Sequence, residues 1–264
     1  MSDKKRPLIL LSGGIDSTYL AQLAVSEHTG FDRLYIEGGQ GLAKIDAESR
    51  AITKIVEILD KKLETWTGSD LNYCRAYSVP FGFPGFDLRT LNTLGFSQAM
   101  MWFFGAMMAV DGNRHSSVQI GYITGDQIAP AINHLKETWK TIWSIFKHPD
   151  QKFVPLEFPL IDNYRTKMYV LDNISEDLYE QTWVCELPIV RFQDFKKHLL
   201  ECGKCAGCVN RIVELQRHEL TTGRTRLPRT VHDILKEQAL AEGWDMYPPD
   251  RAEESAKISE IEEI

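Results

Sequence analysis

The stretch that decides the fold is LILLSGGIDST, residues 8–18. Four apolar residues, Leu8 to Leu11, predict a short buried strand, and the apolar spacing of residues 17–27 predicts the helix that follows it. Between them stands the tripeptide Ser-Gly-Gly, residues 12–14, where the chain has to turn sharply. A strand, a glycine turn and a helix in this order form the opening unit of an α/β fold.

The glycine turn has the composition of an anion-binding site. Backbone N–H groups point into such a turn, and the positive end of a helix follows it. Glycines let a phosphate approach the backbone, while the hydroxyls of Ser12 and Ser17 add donors. The stretch lacks both the Gly-Lys-Ser/Thr of the usual P-loop and the G-x-G-x-x-G dinucleotide spacing. A turn that merely joins strand to helix needs neither the serines nor Asp16, so we expect a phosphate site of another type.

Composition restricts the class of protein. The 264 residues are 43% hydrophobic and 25% charged, which is typical of a globular protein with a sizeable core. A formal net charge of −7 disfavours general nucleic-acid binding. The first apolar run ends too early for a signal peptide, and the uncharged run Thr90–Val110 carries polar residues in its first half, which favours a buried helix over a membrane span. We expect a cytoplasmic protein without membrane contact.

Strand and helix patterns alternate over residues 1–183, which predicts a mostly parallel sheet with helices on both faces. The predicted strands are 8–11, 33–37, 118–123 and a short one within 153–162, and the predicted helices are 17–27, 47–63, 93–110 and about 126–146. Residues 66–89 have the composition of a long irregular connection. From 184 to 264 we expect a second, small region made of helices, at 190–200, 209–219 and 230–242.

Four cysteines are crowded into this second region. Cys202, Cys205 and Cys208 are each separated by two residues, and Cys185 lies 17 positions before the first of them. Without an export signal, such crowding favours metal binding over disulfides. Tight Cys-x-x-Cys turns present thiolates to one ion, and four thiolates complete a closed tetrahedral Zn²⁺ site. Three cysteines at this spacing also suit a 4Fe–4S cluster, which stays open as the alternative to zinc.

The motif Ser-Gly-Gly-Ile-Asp-Ser, residues 12–17, resembles the signature of the PP-loop ATP pyrophosphatases. These enzymes bind ATP and transfer its adenylyl group to a substrate oxygen, releasing pyrophosphate. The resemblance implies a Rossmann-like fold of the adenine nucleotide alpha hydrolase type over residues 1–183, with ATP and Mg²⁺ as cofactors. It further implies that Asp16 helps to position Mg²⁺ or the loop, and that the phosphates are held at Leu11, Ser12, Gly13, Gly14, Asp16 and Ser17.

A PP-loop followed by Cys…Cys-Gly-x-Cys-x-x-Cys-x-x-Arg resembles the 7-cyano-7-deazaguanine synthase (QueC) family over nearly the whole chain. Further matches are Gly39-Gln40, Gly121, Asp126, Pro159-Leu160 and Thr166-Lys167. Members are ATP-dependent ligases: they adenylate the carboxylate of 7-carboxy-7-deazaguanine, add ammonia to form the amide, and activate the amide again to reach the nitrile. The resemblance implies ATP contacts at Gln40 and Gly121 and a deazapurine substrate, and we also expect a homodimer.

Catalytic residues follow from the same chemistry. Adenylation brings a carboxylate beside phosphates and needs a cation to screen both. This chemistry favours catalytic roles for Asp126 and Lys167, and the resemblance to the PP-loop enzymes implies catalytic roles for Asp16 and Ser17. Two plainer alternatives stay open, a helix N-cap for Asp126 and a solvated surface lysine for Lys167.

The chain departs from the family on the substrate side. The Arg-His pair that usually follows Gly39-Gln40 is Gly41-Leu42 here, and two further motifs are replaced by TLNTLGF at 90–96 and APAINH at 129–134. The activation step is therefore better supported than the acceptor or the product. Three alternatives remain: a QueC-like enzyme of an antiviral defence operon that conjugates a deazaguanine to a protein amine, a PP-loop tRNA-thiolation enzyme, and a non-catalytic nucleotide-binding scaffold.

Overall fold

The computed structural model describes residues 5–27, 30–37, 41–67, 76–80, 98–147, 149–193 and 196–223. The chain divides into two compact units, Met1–His218 and Glu219–Ile264, and only 219–223 of the second are described. Gln40 and the helix predicted at 230–242 lie outside the described residues. The predicted domain boundary after residue 183 stays a prediction.

In the part of the chain that the structure describes, five parallel strands form the central sheet. They are β1 (Arg6–Leu10), β2 (Asp32–Glu37), β3 (Ala76–Pro80), β4 (His115–Gln119) and β5 (Leu156–Glu157), in the order β3-β2-β1-β4-β5. The chain moves outward from β1 to β3 and then crosses to the other side of β1. Ligands of such sheets bind where this order reverses, in the crevice beyond the carboxyl ends of the strands. That crevice lies between β1 and β4, immediately after the quoted stretch.

Among the described elements, the main helices that cover the sheet are α1 (Ile15–Ser26), α2 (Leu42–Thr67), α3 (Gln98–Ala109) and α4 (Ile132–Phe146). Leu8 and Leu10 of β1 belong to one core cluster with Phe103 of α3 and Trp139 of α4. Ile9 points to the other face because side chains alternate along a strand, and α1 and α2 pack together on that side. The predicted parallel sheet with helices on both faces is confirmed.

Shorter elements complete the described chain. A 3₁₀ turn at Ala129–Ala131 precedes α4, and α5 (Pro159–Asp162), α6 (Lys167–Asn173) and α7 (Glu176–Tyr179) follow β5. Strands β6 (Ile189–Gln193) and β7 (Lys196–Leu200) pair as an antiparallel hairpin before α8 (Ala206–Thr222). Among the described residues, the helices are either too short or too polar to cross a membrane.

Two sequence-based assignments are wrong. The helix predicted at 190–200 is instead the β6–β7 hairpin, in which Ile189 pairs with Leu200. The two strands are stabilised by hydrogen bonds and side-chain contacts with each other, and the pattern of apolar residues within one segment does not reveal such a partner. Strand β3 lies inside the stretch predicted to be irregular, and the parallel ladder with β2 stabilises it. Both errors concern strands whose partners are supplied by tertiary structure.

Candidate functional site

The turn between β1 and α1, residues 12–17, carries the predicted phosphate site, and we call it the glycine loop. Gly13 has φ of +80°, a left-handed conformation that favours glycine, so this position matches its residue type. Gly14 is the N-cap of α1, and no side chain among the described residues caps the helix there. The hydroxyls of Ser12 and Ser17 lie 3.2 Å apart on the same loop. The first-turn N–H groups of α1 are therefore available to an anion.

A lysine from a distant element faces this loop. Lys167 Nζ, at the start of α6, lies 2.5 Å from Asp16 Oδ2. The other oxygen of the same carboxyl, Asp16 Oδ1, is buried and has no hydrogen-bond partner among the described residues. The Lys167 side chain is 21% exposed, so most of its surface is shielded from solvent.

The negative charges of three carboxylates act on the ammonium group of Lys167. Burial alone lowers the pKa of Lys167, but the charges of Asp16, Glu214 and Asp126 outweigh it and hold the pKa above its ordinary value. Burial raises the pKa of Asp126, against the hydrogen bond that its carboxylate accepts from the Ile123 N–H at 2.9 Å. Burial also raises the pKa of Glu214, against the attraction of Lys167. A cation beside clustered carboxylates is suited to hold both phosphates and Mg²⁺.

A cavity of about 840 Å³ opens beside the glycine loop, in the crevice between β1 and β4. It is lined on the loop side by Ser12, Gly14, Asp16 and Ser17, and on the other sides by Leu10, Trp102, Ile120, Gly121, Tyr122, Asp126, Gln127, Ile128 and Asn210. Its lining combines aromatic and aliphatic side chains with hydroxyl, carboxylate and amide groups, so it offers both apolar contact and hydrogen bonds to a small molecule.

Gly121 brings the end of β4 close to the start of α1. A Cβ atom on Gly121 would lie 3.0 Å from both the N and the Cα of Ser17, which is closer than normal packing allows. The lack of a side chain therefore sets the distance between the two walls of the cavity.

A smaller cavity of about 150 Å³ adjoins Ser12 on the β2 side. It contains a buried ion pair, Lys44 with Glu48 at 3.6 Å, and Tyr35 donates its hydroxyl hydrogen to Glu48 at 2.5 Å. Burial raises the pKa of Glu48 and, together with the Glu48 charge, also that of Tyr35. The sequence pattern did not predict that Lys44, Glu48 and Tyr35 would come together.

The four predicted metal ligands come together. The Sγ atoms of Cys185, Cys202, Cys205 and Cys208 all lie within 4.8 Å of one another, and none of the four is in a disulfide. We call this group the four-cysteine cluster. Backbone N–H groups point at its sulfurs, including Cys202 N to Cys185 Sγ at 3.2 Å and Glu186 N to Cys205 Sγ at 3.3 Å.

The four-cysteine cluster fits a closed metal site. Burial raises the pKa of Cys185 to about 12, whereas N–H groups overcome burial at Cys205 and lower its pKa to about 7. Four sulfurs, a buried position and N–H donors to the sulfurs suit a tetrahedral Zn²⁺ and equally an iron–sulfur cluster. The arrangement therefore supports metal binding without choosing between the two.

The structure unites most of the residues predicted for the nucleotide site. Asp16, Ser17 and Asp126 line one cavity, Lys167 pairs with Asp16, and Leu11 is fully buried at the end of β1, lining the smaller cavity. Asp126 is not the N-cap of α4, which is Ala131, and its carboxylate accepts from the Ile123 N–H. Sequence reasoning missed four residues near the larger cavity: Trp102, Tyr122, Asn210 and Glu214. The sequence showed only that these residues lie on predicted helices or near the ends of predicted strands, which does not indicate that they meet at one cavity.

Comparisons with known proteins add little to this description. No protein-family model matches the chain, and no curated protein matches it in sequence. Among solved structures, the chain is similar to the U34-tRNA thiolase NcsA from Methanococcus maripaludis with its 4Fe–4S cluster. The TM-score is 0.39 at 19% identity, and the match covers 93% of this chain and 75% of that chain. A similarity this distant carries no conclusion about activity.

Proposed function

We propose that this protein is an ATP-dependent enzyme of the PP-loop type that adenylates a substrate carboxylate and then couples nitrogen to it. The observation that carries the proposal is the uncapped N-terminus of α1 inside the glycine loop, at the crevice between β1 and β4, with the Lys167–Asp16 pair beside it. An uncapped helix N-terminus and a nearby ammonium group both favour a polyphosphate.

Each residue has a role in this proposal. The N–H groups of α1 and the hydroxyls of Ser12 and Ser17 bind the phosphates of ATP, and Lys167 screens the negative charge that spreads during displacement at phosphorus. Asp16 Oδ1, which is buried and has no hydrogen-bond partner among the described residues, is the oxygen that would hold Mg²⁺. The carboxylate of the substrate attacks the α-phosphorus of ATP, and pyrophosphate leaves. An amine then displaces AMP from the acyl adenylate.

The finer proposal names the substrate as 7-carboxy-7-deazaguanine, from the QueC-like motifs. The larger cavity is compatible with a flat heteroaromatic acid because two aromatic rings line it, those of Trp102 and Tyr122, with centroids 5.5 Å apart. The side-chain amides of Gln127 and Asn210 can both donate and accept hydrogen bonds. The product with ammonia is the amide, and a second activation would yield the nitrile. A protein amine is the other acceptor that this chemistry allows.

The test is incubation of the purified protein with ATP, Mg²⁺, the carboxy-deazaguanine and ammonia, followed by mass spectrometry of the products. We expect AMP, pyrophosphate and the amide from the wild type and none of them from Asp16→Asn. Asp177→Asn, which changes an exposed carboxylate of an ion pair with Lys62, serves as the matched control and should retain activity. Failure to form pyrophosphate with any acceptor would refute the adenylation proposal.

Two further results separate the alternatives. A mass increase on a protein encoded next to this one, with no free amide, would assign the nitrogen to a protein amine. Visible absorption and iron in the purified protein would favour the tRNA-thiolation alternative, whereas one zinc per chain would count against it.

A further inference from the structure

The glycine loop and the four-cysteine cluster share one short piece of backbone, residues 182–186, which we call the connecting segment. On one side it lies against the loop: Trp183 donates its backbone N–H to the carbonyl oxygen of Gly13 at 2.9 Å. A Cβ atom on Gly14 would come within 4.0 Å of the Trp183 carbonyl oxygen. The left-handed conformation at Gly13 is thus held from outside the loop by a residue two positions before Cys185.

On its other side the connecting segment rests on α8, which carries Cys208. A Cβ atom on Gly207 would lie 2.2 Å from the carbonyl oxygen of Val184, so the helix and the segment touch through bare backbone. Arg211, one turn along α8, is 6% exposed and donates to the carbonyl oxygen of Thr182 at 3.4 Å and to Glu201 at 3.1 Å. The segment is therefore held between the loop and α8.

The four-cysteine cluster links these two sides. Cys185 belongs to the connecting segment, whereas Cys202, Cys205 and Cys208 belong to the turn and helix that support it. One ion bound by all four sulfurs would join the segment to its support by covalent-strength bonds, in addition to the hydrogen bonds described above. The same segment also lines the smaller cavity through Val184 and Glu186.

We propose that metal in the four-cysteine cluster positions the glycine loop, so that occupancy of the cluster sets the affinity of the loop for the phosphates of ATP. The proposal rests on the proposed function in that it takes ATP as the ligand of the loop. It assigns to the metal a role at the nucleotide site, transmitted through the Trp183–Gly13 hydrogen bond.

The first experiment measures ATP affinity against metal content. The protein is stripped with a chelator, reloaded with known amounts of Zn²⁺, and titrated with ATP by calorimetry, while far-UV circular dichroism follows the sheet. We expect ATP binding to be about tenfold weaker without metal, equivalent to about 1.4 kcal/mol, and to recover fully at one Zn²⁺ per chain. An affinity that does not change with occupancy would overturn the proposal.

The second experiment separates positioning from folding and uses Gly207→Ala at saturating Zn²⁺. The added methyl group must displace the backbone of Val184, whereas all four cysteines are still present in the variant. Alanine has a higher helix propensity than glycine, so the substitution does not disfavour α8 as a helix. We expect a full complement of metal with ATP affinity reduced about tenfold. Val213→Ala, an exposed position of the same helix, is the control and should bind ATP like the wild type. If removal of the metal by the chelator unfolds the sheet, this second experiment still tests the positioning role.

The outcomes distinguish the two proposals. If the metal-loaded wild type does not bind ATP, the proposed function fails. If the wild type binds ATP and Gly207→Ala binds it equally well with metal in place, only the positioning role fails.

Discussion

Replacing Lys167 with methionine tests the electrostatic core of the candidate site. Lys167 Nζ lies 2.5 Å from Asp16 Oδ2, and the two side chains are 21% and 23% exposed. Methionine keeps most of the length and apolar surface of lysine but removes the charge. The variant therefore removes the cation whose charge interacts with the carboxylates of Asp16, Asp126 and Glu214.

The expected loss of stability follows from the burial of the pair. Breaking a fully buried ion pair costs about 3–5 kcal/mol. An exposed pair contributes about 0–1 kcal/mol. With about one fifth of each side chain exposed, we expect Lys167→Met to lower the free energy of unfolding by about 2 kcal/mol at neutral pH.

The stability difference between the wild type and Lys167→Met should also depend on pH. The pKa of Lys167 is raised in the folded protein, so the contribution of its charge to stability is complete below the unfolded value of about 10.5 and is lost as the pH rises through the folded-state pKa. The difference in stability between the wild type and Lys167→Met should therefore narrow above about pH 10.5.

Urea denaturation of the ligand-free proteins measures both effects. Lys140→Met is the control, because Lys140 and its partner Glu137 form an exposed ion pair, and its loss should be no more than about 0.5 kcal/mol. Under the proposed function, Lys167→Met should also lower kcat by about 100-fold. Equal destabilisation by the two variants would refute the reasoning about burial and charge.

Three further predictions concern other parts of the site. Gly121→Ala should destabilise the protein by about 1–3 kcal/mol in urea denaturation and weaken ATP binding in calorimetry, because its methyl group meets the backbone of the first turn of α1; Gly41→Ala, with nothing within 4 Å, should do neither. Cys202→Ala should abolish stoichiometric metal in elemental analysis, since three sulfurs no longer close the site. Glu214→Gln should lower the pKa of Lys167 and move the alkaline loss of stability to lower pH, and an unshifted transition would contradict the assigned cause.

The local features of the site were predictable from sequence. The glycine loop is recognisable because a strand end, two glycines and flanking hydroxyls are consecutive, and the left-handed conformation at Gly13 is one that glycine adopts without strain. The four-cysteine cluster is recognisable because Cys-x-x-Cys spacing by itself brings thiolates to one ion. The alternation of strands and helices predicted the parallel sheet for the same local reason.

Features that depend on a partner from elsewhere in the chain were not predictable in this way. Residues 190–200 were predicted to be a helix and form the β6–β7 hairpin, and β3 was missed, because each strand is stabilised by its neighbour. Glu214 and Asn210 lie near the site on α8, which packs against the connecting segment through Gly207. No pattern within α8 indicates that contact.

The sequence by itself indicated the positions of the glycine loop and of the four-cysteine cluster, since the loop is one continuous stretch and three of the four cysteines are each separated by two residues. Tertiary structure decided what surrounds them. The crossing of the chain from β3 to β4 puts Gly121 and Asp126 beside the glycine loop, and the start of α6 brings Lys167 to Asp16 across 151 positions of sequence. The physical reason is that charge screening and cavity shape depend on distances in space, which packing sets and sequence spacing does not.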